Sequence, residues 1–258
     1  MVTEAELVAR LRAAGCVFAE DEARLLMAAA ITDEELSALA ERRVAGEPLE
    51  YVLGWAEFRG LRLVVAPGVF VPRTRTGFLV EEALAVCPRP SVVVDLCCGN
   101  GAIGAAIAAA LPGVPTLHGV DVDRAAVACA RQNLAAYAGV AHLGDLFDPL
   151  PPSLRGGVDL LVANTPYVPT DAIAMMPPEA REHEARAALD GGPDGLALLR
   201  RVAASAPDWL APGGHLLIEI GESQVDAAVT AYAEAGLEPR VATSEEYDAT
   251  VLVGRIPG

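Results

Sequence analysis

An α/β fold with a Rossmann-like, mostly parallel sheet, a terminal antiparallel hairpin and a small N-terminal helical domain is predicted by three observations. From Val92 onward short apolar runs alternate with helical patterns, as in successive βαβ units. The first run passes into a glycine turn, Gly99-x-Gly101-x-x-Gly104, that opens a helix. The last two strand-like segments, Arg240 to Ser244 and Thr250 to Ile256, are joined by Glu245-Glu246-Tyr247-Asp248, a link too short for a parallel crossover.

Residues 1–48 read as short helices. Thr3-x-x-Glu6 and Thr32-x-x-Glu35 are capping boxes, and Leu7, Leu11, Leu25, Leu26, Leu36 and Leu39 recur at helical spacing. This helical cap is either a packing module or a substrate-recognition element. Residues 49–75 form a linker, in which partial alternation around Gly60 predicts a β-hairpin. Residues 76–258 hold the α/β domain, with strands expected near 92–97, 116–121, 140–144, 158–163 and 215–220 before the terminal hairpin.

Composition narrows the partners. The 258 residues are 53% hydrophobic, enough for one large domain and a small appendage. The longest apolar run, Ala102 to Val114, is broken by Gly104 and Pro112-Gly113 and falls short of the roughly 18 residues of a membrane span. The N-terminal residues lack the basic and apolar regions of a signal peptide, so a cytoplasmic location is expected. Five Cys without paired spacing read as reduced thiols, and with four scattered His no metal centre is expected. A net charge of −16 opposes binding to phosphate backbones, although Arg59, Arg62, Arg73 and Arg75 could form a local basic patch.

The glycine turn, followed by Asp121 at the end of the next strand, fits either a dinucleotide or S-adenosylmethionine. Three features favour the second. Asp95, four residues before Gly99, places a carboxylate where the cationic amino-acid end of that cofactor is attracted, directly or through the loop, and a pyrophosphate is repelled. Gly144-Asp145-Leu146-Phe147 supplies an acceptor for the adenine amino group and apolar flanks for its ring. Asn164-Thr165-Pro166-Tyr167 leaves the fourth strand at the same crevice, a turn that hydride transfer does not need. The candidate cofactor contacts are Asp95, Cys97, Gly99, Asn100, Gly101, Asp121, Val122, Asp145, Leu146 and Asn164. Each has a plain structural reading as well, as a cap or a turn former.

The same turn supplies the candidate catalytic residues. An amide nitrogen is a weak nucleophile because its lone pair is delocalised into the carbonyl. Asn164 Oδ1 and the Thr165 carbonyl can accept the two N–H bonds of a primary amide or amine and aim its lone pair at a methyl carbon. Pro166 stiffens the turn, and Tyr167 offers an aromatic face to a planar acceptor.

Together these motifs resemble the bacterial glutamine methyltransferases of the HemK/PrmC family, which methylate the Gly-Gly-Gln glutamine of peptide-chain release factors. The resemblance spans roughly residues 47–222 and includes Glu47 to Gly54, Phe70-Val71-Pro72-Arg73, Ala188 to Leu196, Leu210 to Gly214 and Glu219-Ile220-Gly221. It implies a class I S-adenosylmethionine-dependent methyltransferase with a seven-stranded sheet, acting as a protein-(glutamine) N-methyltransferase with a release factor as partner. Three features depart from the family pattern. Thr165 stands in place of the first Pro of Asn-Pro-Pro-Tyr; Thr74-Arg75-Thr76-Gly77 replaces a segment with two carboxylates; and the helical cap is shorter than the family's release-factor-binding domain. Other acceptors are therefore open: another protein or a small molecule, or an adenine of nucleic acid, which the acidic chain opposes. A non-catalytic S-adenosylmethionine-binding protein is the remaining alternative.

Overall fold

The computed structural model describes residues 3–258. Its first three helices, α1 (Glu4–Ala13), α2 (Ala19–Ala29) and α3 (Asp33–Val44), pack around Leu7, Leu11, Leu26 and Leu36. Both capping boxes form: the Thr3 and Thr32 hydroxyls accept from the Glu6 and Glu35 amides, and the two Glu side chains reach back to the cap amides. Helix α4 (Leu49–Leu53) places Val52 against this cluster and Tyr51 against the next, so it joins cap to hairpin. Gly54, at φ 77°, ends α4 in the left-handed region that glycine tolerates. The hairpin β1 (Trp55–Phe58) and β2 (Leu61–Val64) follows as a two-stranded sheet of its own.

The main domain runs α5 (Gly77–Val86), β3 (Val92–Leu96), α6 (Ala102–Ala110), β4 (Thr116–Asp121), α7 (Arg124–Leu134), β5 (Val140–Leu143) and β6 (Val158–Ala163). It continues with α8 (Pro178–His183), α9 (Ala197–Ser205), β7 (Leu210–Ile220), α10 (Val225–Glu234), β8 (Glu238–Ser244) and β9 (Ala249–Arg255). Its seven strands lie in the order β5-β4-β3-β6-β7-β9-β8, with β5 through β7 parallel and the β8–β9 hairpin antiparallel. The chain steps outward from β3 to β5 and returns to β6, so the direction of winding reverses between β3 and β6. A crevice opens beyond the carboxyl ends of strands at such a point.

Two strand starts differ from the sequence expectation by two residues or more, the other bounds by no more than one. β7 begins at Leu210 rather than 215, because Leu210 pairs with Val158 before a register shift that takes up Pro212 and Gly213; a Pro-Gly pair reads as a turn when seen alone. β8 begins at Glu238 rather than Arg240, and Pro239 is tolerated because β8 is an edge strand. No helix among the described residues is long and apolar enough to cross a membrane.

The core has two faces. Leu79, Val93, Ile107, Leu117 and Leu160 fill one side of the sheet; Val94, Leu96, Leu161, Leu216 and Tyr232 fill the other. β3 and β6 are buried on both faces, which is why they read as continuous apolar runs rather than alternating ones.

Candidate active site

The loop after β3 is shaped by three residues in the left-handed region: Cys97 (φ 52°), Gly99 (φ 53°) and Gly101 (φ 81°). Cys98 N donates to Val120 O at 3.0 Å and Gly101 N to Cys98 O at 2.7 Å, which folds the loop over the end of β4 and starts α6. Asp121 then clamps it, accepting from Gly99 N and from Asp123 N, both at 2.9 Å. Asn133 of α7 ties the hairpin to the same loop: its side chain accepts from Val64 N at 2.8 Å and donates to Val64 O at 2.9 Å and to Asn100 O at 2.8 Å. Asn100 donates its own amide to Val64 O at 3.1 Å.

A cavity of about 680 Å³ lies outside these strand ends, within the range of cofactor pockets. Cys97, Gly99, Asn100, Asp121, Val122, Asp145, Leu146 and Asn164 line it, as do Thr165, Pro166 and Tyr167. Asp95 and Gly101 stand behind the wall. Asp95 is fully buried; its Oδ2 accepts from Gly104 N at 2.9 Å, and its Oδ1 has no hydrogen-bond partner. Of the two, Asp95 therefore faces the loop rather than the open cavity. Asp145, at the far end, pairs with Arg201 at 2.6 Å, and Arg201 also lines the cavity.

Burial governs the acids here. It pushes Asp95 up to about 7, with the Gly104 amide opposing and the nearby Asp121 reinforcing the shift. It raises Asp121 as well, against the amides of Asp123 and Gly99. The Cys97 thiol is raised by burial and by Asp121, Asp95 and Asp145, so it lines the cavity as a neutral group. The stability consequence for Asp95 has a definite sign. Its folded pKa lies above the ordinary value of 3.8, so the folded protein holds a proton that the unfolded chain releases, and stability falls as pH rises from 3.8 to about 7. Asp95→Asn removes this decline. Its melting temperature relative to the parent is expected to rise between about pH 5 and about pH 8; a difference that stays constant in thermal unfolding at both pH values would refute this.

The turn at the end of β6 is built from distant pieces. Gln224 Nε2 donates to Tyr167 O and Asp194 O, both at 2.9 Å, and Gly191 N donates to Val168 O at 2.9 Å. Glycine is required opposite the turn. A Cβ on Gly191 would lie 2.5 Å from Pro166 O, and one on Gly195, at φ 75°, would overlap the Tyr167 carbonyl. Gly195→Ala is expected to cost roughly 3 kcal/mol or more through backbone strain and overpacking, and to reduce activity by displacing Tyr167. Urea unfolding checks the first and turnover the second.

The long connection between β6 and α9 forms the front wall. Arg73 Nη2 lies 2.7 Å from both oxygens of Glu184, which also accepts from Val71 N at 3.1 Å. The Arg73 guanidinium stacks over Phe70, 4.7 Å from its ring centroid. Arg43 reaches from the cap to the same wall, pairing with Glu22 at 2.6 Å and with Glu179 of α8 at 2.7 Å. Behind the turn, Asn164 Nδ2 donates to Thr76 Oγ1 at 3.4 Å and Tyr167 OH donates to buried Glu219 at 3.3 Å. Arg75 Nε lies 3.1 Å from the same carboxylate. Burial and the Glu219 charge push the Tyr167 hydroxyl up to about 12, so it is a neutral donor. The sequence did not single out Asn133, Glu184, Arg201 or Gln224; Thr76 and Glu219 entered only as members of segments compared with the family pattern.

The site thus offers carboxylates and peptide groups around one part of a concavity and a pair of acceptors, Asn164 and the Thr165 carbonyl, at another. Comparison with known proteins places this geometry. The methyltransferase small domain family matches residues 61–195. A methyltransferase from Pyrococcus furiosus shares the fold, with a TM-score of 0.57 at 16% identity, covering 86% of this chain and 100% of that one. The 4-amino-L-phenylalanine/4-methylamino-L-phenylalanine methyltransferase of Streptomyces pristinaespiralis is 37% identical over 71% of this chain and 64% of its own length. The release factor glutamine methyltransferase of Geobacter sulfurreducens is 41% identical over 80% of this chain and 73% of its own. On that identity and coverage, this chain is a methyltransferase belonging to the release factor glutamine methyltransferase family.

Proposed function

We propose that this chain transfers a methyl group from S-adenosylmethionine to the side-chain amide nitrogen of a protein glutamine, with the Gly-Gly-Gln segment of a release factor as first acceptor. The observation that carries the reading is the Asn164–Tyr167 turn opening into the same cavity as the loops after β3, β4 and β5, in a chain 41% identical to a release factor glutamine methyltransferase.

The residues present fit the cofactor. Asp121 and Asp123 put two carboxylates on the cavity wall beside the glycine turn, which suits a cationic ligand and repels a pyrophosphate, while Asp95 behind the wall supports the loop. Asp121 retains free lone pairs that would suit ribose hydroxyls, Asp145 beside Arg201 would accept from the adenine amino group, and Val122 and Leu146 would flank the ring. When bound, the sulfonium supplies an activated methyl group with a good leaving group. The protein's own part is positioning. Asn164 Oδ1 and the Thr165 carbonyl would accept hydrogen bonds from the two amide N–H groups, draw the nitrogen toward tetrahedral geometry and direct its lone pair along the line of transfer; the nitrogen sheds one proton once the methyl group has been received. Tyr167 would offer its ring to the planar acceptor.

The helical cap of residues 1–48 and the linker of residues 49–75 are assigned here to holding the protein partner across the cavity mouth, since Arg43 joins the cap to the front wall. A second reading, an aromatic amine as acceptor, is supported by the Streptomyces pristinaespiralis relative and by Phe58 and Phe70 in the cavity lining. One experiment separates the two. The purified protein is incubated with methyl-labelled S-adenosylmethionine and either unmethylated release factors or aryl amines, and the label is located by mass spectrometry. Label on the Gly-Gly-Gln glutamine, absent with Asn164→Ala, is the expected result; label only on the amines would overturn the first reading.

A further inference from the structure

We propose that Asn133 is a positioning residue for the cofactor: it fastens the glycine turn after β3 to the linker hairpin and so makes that hairpin part of the S-adenosylmethionine site. The proposal rests on the cofactor reading given above and concerns what holds the turn in place. It starts from a strand edge. β1 and β2 form a sheet of two, so β2 has a strand partner on one side only. Val65 N donates across the hairpin to Gly54 O at 3.2 Å, and in an antiparallel ladder successive residues aim their N–H and C=O to opposite sides. Val64, which lies opposite Trp55, therefore turns both of its peptide groups away from β1. Those groups need partners from outside the hairpin.

Asn133 supplies them. A primary amide carries a donor and an acceptor side by side, as a peptide strand does, and Asn133 uses both on one residue: Oδ1 accepts from Val64 N at 2.8 Å and Nδ2 donates to Val64 O at 2.9 Å. A backbone N–H only donates and a carbonyl only accepts, so the orientation of this amide is fixed. The other Nδ2 proton goes to Asn100 O, at 2.8 Å, inside the glycine turn. Asn100 closes the ring by donating its Nδ2 to Val64 O at 3.1 Å, which leaves Oδ1 as the end of that amide available to a ligand in the cavity that Asn100 lines. The turn has no slack against α7, since a Cβ on Gly101 would lie 3.1 Å from Leu134 Cγ and 3.3 Å from Ala130 Cβ. Asp121 holds the neighbouring Gly99 N at 2.9 Å. Asn133 and Asn100 are both buried, so water competes little for these bonds.

The test uses the full chain and S-adenosylmethionine itself. Asn133→Asp keeps the size and the acceptor for Val64 N but sets an oxygen against two carbonyls. It is expected to weaken calorimetric affinity for S-adenosylmethionine about tenfold, the equivalent of one hydrogen bond to the turn, while kcat at saturating cofactor stays within about twofold. Coupling of this kind is reciprocal. Saturating S-adenosylmethionine should therefore slow hydrogen exchange at the Val64 amide of the parent by up to about the same tenfold. In Asn133→Ala, which also serves if the Asp variant does not fold, that slowing should vanish. A lowered melting temperature with affinity within about twofold of the parent, or Val64 exchange in the parent that is indifferent to cofactor, would overturn the proposal and leave the cofactor reading standing. A parent that does not bind S-adenosylmethionine would remove the cofactor reading, and the proposal with it.

Discussion

Asn164→Ala is expected to lower kcat by about 10²–10³-fold, the loss typical of removing one preorganised group from a charge-stabilising site. Asn164 sits at the end of β6, and neither its strand nor the cofactor loop depends on its side chain, whose one hydrogen bond is the 3.4 Å contact to Thr76. The variant should therefore fold, melt within a few degrees of the parent and still bind S-adenosylmethionine, with an affinity loss far smaller than the loss of rate even though Asn164 is also a candidate cofactor contact. KM for the acceptor should rise less than kcat falls, because both N–H bonds gain strength only as the nitrogen becomes tetrahedral. Single-turnover kinetics together with calorimetry resolve these quantities. A variant that loses cofactor affinity or stability in proportion to rate would show that Asn164 shapes the turn and does not grip the acceptor.

What was legible in the sequence was local. The Thr3 and Thr32 capping boxes, the alternation around Gly60 and the short link Glu245 to Asp248 each specify structure through neighbours a few residues away, and each element forms where those signals lie. The glycine turn and the Asn164–Tyr167 turn were legible for the same reason, since a strand ending in an unusual turn is a local pattern. The supports of the site were not. Glu184 reads as one of many surface acids until Arg73, 111 residues away, neutralises it in a buried position. Gln224 looks like a helix-start residue, yet its amide holds two carbonyls from separate segments. Arg75 appeared as one of four Arg in a possible basic patch and as a cation gained where a carboxylate is usual. Its partner Glu219 belongs to a strand far along the chain, so the compensation exists in space alone.

Arg73→Met is expected to produce a large loss of stability, and one that depends on pH. The Glu184 side chain is 2% exposed and would be left with the Val71 amide as its remaining hydrogen-bond donor. Removing one partner of a fully buried pair costs 3–5 kcal/mol; because Arg73 is 38% exposed and partly screened, a cost of about 2–3 kcal/mol at alkaline pH is expected. The sign with pH follows from Glu184. Burial raises its folded pKa above the ordinary 4.5, with Arg73 and the Val71 amide opposing the rise. Its contribution is therefore most favourable at low pH and declines as pH climbs through and above 4.5. Without Arg73 the folded pKa rises further, the decline extends to higher pH, and the deficit relative to the parent should be small near pH 4 and grow toward about pH 8. Urea unfolding at several pH values checks this, and a deficit independent of pH would mean that stacking on Phe70, not charge, is what Arg73 contributes. The same substitution should raise KM for the acceptor more than it lowers cofactor affinity. Glu184 ties the front wall to the segment after β2, and that wall continues through Leu189 and Gly191 to the main chain of Val168 beside the acceptor turn, so loosening the pair loosens the surface on which the acceptor is held.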